Sequence, residues 1–196
     1  MSDTPLEPDS PEDDTLRSEI WTTDGGSHLE MLIDSRVWSQ TDTDRAKDSF
    51  CKATDMTFDA LSHPPSCIGG LLCDDMRIAE LNHAFRGKDS ATNVLSFPED
   101  PDMPGGPDMM SVGEIAMAAE TVRREAEAEA KALIDHVTHL WVHGVLHLLG
   151  YDHEEHDEAD IMEAAEISIL AGMGIANPYE PASGGTASLS EIAEQV

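Results

Sequence analysis

The stretch His143-Gly-Val-Leu-His147-Leu-Leu-Gly150-Tyr-Asp-His153 constrains this chain more than any other, because it sets histidines at positions 0, +4 and +10 with a glycine at +7. On an α-helix, residues four apart lie one above the other on the same face. His143 and His147 can therefore reach one ion from one helix. A third ligand on that helix would lie too far along it, so the chain must turn back. Gly150 supplies the turn, since glycine tolerates the left-handed conformation that ends many helices. His153 then faces the first two. Three neutral imidazoles around Zn²⁺ leave a fourth tetrahedral position open, as in catalytic sites and unlike closed structural ones.

A lone helical histidine is ordinarily a core or surface residue, but three at this spacing with a glycine at the turn read as a metal site. His136, His139, His143 and His147 share one helical stripe, so His139 and His143 form a rival pair. The pair 143 and 147 is preferred because it adjoins Gly150 and His153, which leaves His139 to make an outer or structural hydrogen bond. His156 sits among Glu154, Glu155, Asp157 and Glu158, an acidic helix start, and is read as solvated. The histidine spacing matches that of metzincin peptidases. Those enzymes carry Glu at +1 to activate the metal-bound water, whereas this chain has Gly144. Peptide hydrolysis by that route is disfavoured.

With 196 residues, one domain with tails is expected. The net charge of −29 argues against simple electrostatic capture of nucleic acid, and no DNA partner is expected. The polar, acidic N-terminus does not read as a signal peptide, and no apolar run is long enough for a membrane span. Cys51, Cys67 and Cys73 are odd in number and lack Cys-x-x-Cys spacing. They read as buried, reduced thiols of a cytoplasmic protein.

Residues 1–22 form a disordered acidic tail by composition. Strands are expected at 28–34, 67–73, 92–97 and 112–117. Helices are expected from Asp44 to about Leu61, capped by Thr41 or Thr43, and from an Asp74 or Asp75 cap to about Phe85. Three more are expected at 119–133, 134–149 and 155–171, the last with Ile161, Met162, Ala165, Ile169 and Leu170 inward. Residues 99–110 read as a loop and 177–196 as a flexible tail. The expected fold is a single α+β (mixed) domain, 23–176, with a small sheet of about four strands packed with about five helices. Strand order is not legible.

Basic residues are scarce, yet Arg86 and Lys88 cluster in a turn before a strand. Arg86 is suited to bidentate phosphate contact; the alternative is that it pairs with Asp89 or caps the preceding helix. Three segments together carry a resemblance: Leu81-Asn-x-x-Phe-Arg86-x-x-Asp89-x-x-Thr92-Asn93-Val-Leu-Ser96-Phe97-Pro98, Gly113-Glu-Ile115, and His139 through His153. Over roughly residues 28–175 the chain resembles the YbeY family of bacterial endoribonucleases, also called rRNA maturation factors.

The resemblance implies a single-domain metalloprotein with one Zn²⁺ on His143, His147 and His153, and a catalytic arginine at Arg86. It implies cleavage of single-stranded RNA in the maturation of small-subunit (16S) ribosomal RNA and in ribosome quality control. Ribosomal RNA and the small ribosomal subunit are the implied partners. Ala91 stands where the family usually has Pro, and Glu114 where it has Asp. A metal-dependent hydrolase of another substrate and a non-catalytic assembly factor with structural zinc are the competing readings.

Overall fold

In the computed structural model, which describes residues 15–100, 110–152 and 156–180, five helices pack with one mixed five-stranded sheet. The strands are β1 (Leu16–Thr22), β2 (His28–Asp34), β3 (Cys67–Cys73), β4 (Val94–Pro98) and β5 (Ser111–Ala118), in the order β1-β2-β3-β5-β4. β2, β3 and β5 run parallel, while β1 and β4 flank them antiparallel. The helices are α1 (Gln40–Leu61), α2 (Asp75–Arg86), α3 (Ala119–Ala128), α4 (Leu133–Leu148) and α5 (His156–Gly172).

The expected α+β class and single domain hold. The fifth strand, β1, was expected to belong to the N-terminal tail, so that segment contains structure from Leu16 onward. Only Trp21 of β1 is buried, and Ile20 is 66% exposed. An edge strand that buries so little gives almost no period-two signal, and its partner β2 supplies the pairing. The expected loop at 99–110 lies mostly outside the described residues, as do 1–14 and 181–196 of the expected tails.

Interior strand β5, between β3 and β4, buries both faces. Ile115 and Met117 join the main core with Leu29, Met31, Ile33, Phe50 and Trp141, while Ala116 and Ala118 join Ile78 of α2 and Leu95 on the other side. The β3–β5 register shifts so that Cys67 pairs with Ser111 and Ile68 with Gly113, which leaves Val112 as the extra residue of a bulge. Gly113 adopts φ +131° there.

α1 buries Ala46, Phe50, Ala53, Thr54 and Thr57 along one face. Its cap is Ser39, whose side chain accepts from the Asp42 amide, in place of Thr41 or Thr43. Thr43 is buried and turns its hydroxyl back to the Ser39 carbonyl. α4 lies against α1, where Trp141 stacks on Phe50 at 4.4 Å and donates to Thr54 Oγ1 at 3.0 Å. This contact fixes the rotation of the helix that carries the paired histidines.

Candidate active site and metal centre

α4 ends in a built turn. Gly150 has φ +88°, its amide donates to the His147 carbonyl, and the Tyr151 amide donates to the Leu146 carbonyl. This is the Schellman pattern of a glycine-terminated helix. The turn delivers the Tyr151 carbonyl to His147, whose Nδ1 donates to it at 2.9 Å. A carbonyl only accepts, so the proton of His147 sits on Nδ1 and its Nε2 carries a lone pair.

His143 is fixed in the same sense from another direction. Its Nδ1 donates to Glu166 Oε1 at 2.8 Å, which leaves a lone pair on its Nε2. The two Nε2 atoms face each other at 3.1 Å. Two lone pairs at that distance repel unless a cation or a proton stands between them. Tetrahedral Zn–N bonds of about 2.0–2.1 Å would set two ligand nitrogens about 3.3 Å apart. The donor set therefore fits a borderline-soft divalent ion.

His139, the rival partner, turns away. Its ring lies 6.4 Å from that of His143, against 4.5 Å between His143 and His147. Its Nε2 donates to Glu166 Oε2 at 2.8 Å, the outer hydrogen bond expected of it. His136 bonds Glu125 at 2.9 Å. His153, the expected third ligand, and the side chain of His156 lie outside what is described. Among the described residues, no group of three or more His, Cys, Asp or Glu is placed to hold a metal.

Gly144, where a peptidase would need its glutamate, is buried. A Cβ on it would meet Ile115 Cδ1 at 2.9 Å. The position packs α4 onto β5 and does not face the histidine pair, so a carboxylate has no room there.

Arg86 is the last residue of α2, followed by Gly87 at φ +66°. Asn82 Nδ2 donates to the Ser90 carbonyl at 2.8 Å and pins the turn that follows. The expected alternative, an Arg86–Asp89 pair, does not form, because Asp89 binds His83 Nδ1 at 2.6 Å. Among the described residues no carboxylate pairs with the side chain of Arg86 or Lys88. Both cations line a cavity of about 770 Å³ together with His143, His147, Thr92 and Ser96. The structure thus brings Arg86 and two of the three expected ligands into one groove.

Several supporting residues were not singled out from sequence. Asn93 is tied down, its Nδ2 donating to Glu125 and its Oδ1 accepting from the Val94 amide, so it anchors β4 and is not free for a ligand. Glu125 also holds His136, which joins β4 to α4 through α3. Glu166 is fully buried on α5 and accepts from His143, His139 and Tyr179. Burial alone would raise its pKa, but the three hydrogen bonds outweigh it and hold the carboxyl down at about 2. Its sequence signal was a carboxylate on the apolar stripe of α5, between Met162 and Ile169, Leu170. Ile161, expected inward, is 61% exposed, because it falls beside that stripe.

The cysteines are not placed to act. All three are free, and burial pushes the thiols of Cys51 and Cys67 up to about 11 and that of Cys73 up to about 12. They are protonated at neutral pH; of the three expected to be buried, Cys73 is, while Cys51 and Cys67 are half-buried.

A family model described as Endoribonuclease YbeY matches residues 33–174. Among curated proteins, Endoribonuclease YbeY of Dinoroseobacter shibae is 43% identical over 166 residues, covering 78% of this chain and 90% of the relative. That of Cereibacter sphaeroides is 45% identical over 166 residues, covering 77% and 98%. That of Jannaschia sp. is 43% identical over 159 residues, covering 77% and 99%.

Proposed function

This chain belongs to the YbeY family of endoribonucleases, and we propose that within that chemistry it is a zinc-dependent enzyme that cuts single-stranded RNA during maturation of 16S ribosomal RNA. It is an enzyme that hydrolyses phosphodiester bonds of RNA. The further reading adds one Zn²⁺ held by His143, His147 and His153, with Arg86 as the residue that meets the phosphate. Its setting is the cytoplasm, with ribosomal RNA and the small ribosomal subunit as partners and a role in ribosome quality control. No helix among the described residues is long and apolar enough to cross a membrane.

One observation carries the reading: the facing Nε2 atoms of His143 and His147 share a groove with two cations that lack carboxylate partners among the described residues. In a chain of net charge −29 with 11 Lys and Arg residues, this places two cations on one wall of the groove that holds the histidine pair. Arg86 offers a planar fork of donors for two phosphate oxygens and stabilises charge that builds on them in the transition state. Lys88 adds a second positive charge along the strand path. Thr92 and Ser96 offer hydroxyls on the same wall. Zinc held there would supply Lewis acidity and lower the pKa of a bound water. The Tyr151 carbonyl and Glu166 fix the two rings beforehand, so little reorganisation is needed when the ion binds.

The acidic surface bears on capture. A global negative field repels RNA, and attraction falls off within a Debye length of about 8 Å at physiological salt. Substrate must therefore be delivered into the local basic groove, in keeping with RNA presented on a ribosomal subunit. The purified protein should cleave a single-stranded RNA and leave both duplex RNA and casein intact, with RNA cleavage lost on chelation. Casein cleavage at a comparable rate would contradict the proposal.

A further inference from the structure

Glu166 has the features of a residue that serves the site without touching substrate. It lies on α5, one helix away from the histidine pair, and its side chain is fully buried. A buried carboxylate is costly unless each oxygen is satisfied. Here Oε1 accepts from His143 Nδ1 at 2.8 Å, while Oε2 accepts from His139 Nε2 at 2.8 Å and from the Tyr179 hydroxyl at 2.5 Å. Tyr179 comes from the segment after α5, which is fastened to α4's approach by Lys131 Nζ donating to the Pro178 carbonyl at 2.8 Å. Three parts of the chain, α4, α5 and the segment after α5, therefore meet on one carboxylate.

We propose that Glu166 is a positioning residue for the metal centre: its carboxylate fixes the His143 ring with the proton on Nδ1 and Nε2 turned into the groove, and His139 and Tyr179 hold that carboxylate in place. The inference rests on the reading of His143 and His147 as ligands. A carboxylate behind an imidazole sets the ring's tautomer and orientation and raises its basicity toward an ion. The two histidines are oriented by different means, one by a helix-terminal carbonyl and the other by this charge. Only His143 depends on a side chain that substitution can change.

Glu166→Gln keeps the shape and can still accept from His143, but it removes the charge and forces His139 to re-pair. Titrating Zn²⁺ against a chromogenic chelator should show binding about 10–100-fold weaker than wild type. Tyr179→Phe, which leaves the carboxylate on His143, should weaken binding less than Glu166→Gln does. Ile169→Val, on the same buried face of α5, should lower the melting temperature without changing zinc affinity. That control separates positioning from general support of the helix packing. In metal-free wild type, ¹⁵N shifts of the imidazoles should report the Nδ1–H tautomer for His143.

Wild-type zinc affinity in a folded Glu166→Gln variant would overturn the proposal, and so would an Nε2–H tautomer for His143, a result that holds even where the variant does not fold. Failure of wild type itself to bind Zn²⁺ would overturn the ligand reading and this inference with it. Zinc bound equally by wild type and Glu166→Gln would leave the ligand reading standing and remove only the role of Glu166.

Discussion

Arg86→Ala should lower cleavage of single-stranded RNA by about 10²–10³-fold, the usual cost of losing one donor aimed at developing charge, while zinc content stays at the wild-type level. The separation follows from where the residue sits. Arg86 is exposed at the end of α2 and is not among the expected ligands, so its removal leaves the histidine pair and its supports intact. Its helix-end position costs at most about 1 kcal/mol of stability through the lost interaction with the helix dipole. Arg86→Lys should recover part of the activity, because it keeps the charge and loses the planar fork. Lys88 lines the same cavity but cannot substitute in place, since it lies beyond the Gly87 turn. Cleavage by Arg86→Ala at the wild-type rate would remove Arg86 from the mechanism.

Gly113→Ala should be the most damaging small substitution in the sheet. Gly113 follows the β5 bulge at φ +131°, a backbone conformation that side chains rarely adopt. An added Cβ would overlap the Phe97 carbonyl oxygen and lie 2.9 Å from the Glu99 amide nitrogen and 3.0 Å from Leu148. Two of those three atoms are backbone and cannot swing aside. Backbone strain of about 1–3 kcal/mol and overpacking of similar size add to about 2–6 kcal/mol. For a chain of this size, melting should fall by about 4–24 °C. The damage reaches the site, because β4 supplies Ser96 and Pro98 to the groove and Leu148 sits next to His147 on α4. Gly26→Ala is the natural comparison. Gly26 also has positive φ, at +91°, but an added Cβ there meets nothing within 4 Å. It should cost only the conformational part, about 1–2 kcal/mol. Equal melting temperatures for the two variants would show that the close approach of β4 to Gly113 is not what requires glycine.

The parts of the fold carried by local pattern were legible in the sequence. β2 and β3 fall where alternation and an apolar run put them, and Asp74 caps α2. The histidine spacing and Gly150 were legible because a helical face and a left-handed turn are local geometry, and both appear in α4. Non-local features were not legible. β5 inserts between β3 and β4, an order no local signal encodes. β1 is held by pairing with β2, and only one of its side chains is buried. Arg86 and Asp89 are three apart and opposite in charge, yet His83 takes Asp89 because both face the same side of the turn. Glu166 was the missed residue with a readable signal, since a carboxylate on an apolar stripe must have partners waiting for it. Those partners come from α4 and from the segment after α5, which only the fold brings together.

The central claim is that the two facing histidine nitrogens belong to a zinc centre that works on RNA alongside Arg86. Titrating Zn²⁺ into metal-stripped protein, with cleavage of a single-stranded RNA followed at each step, tests it most directly. Cleavage should be absent at the start, rise with added zinc and level off at one ion per chain. Full cleavage by protein shown by elemental analysis to be free of metal would contradict it.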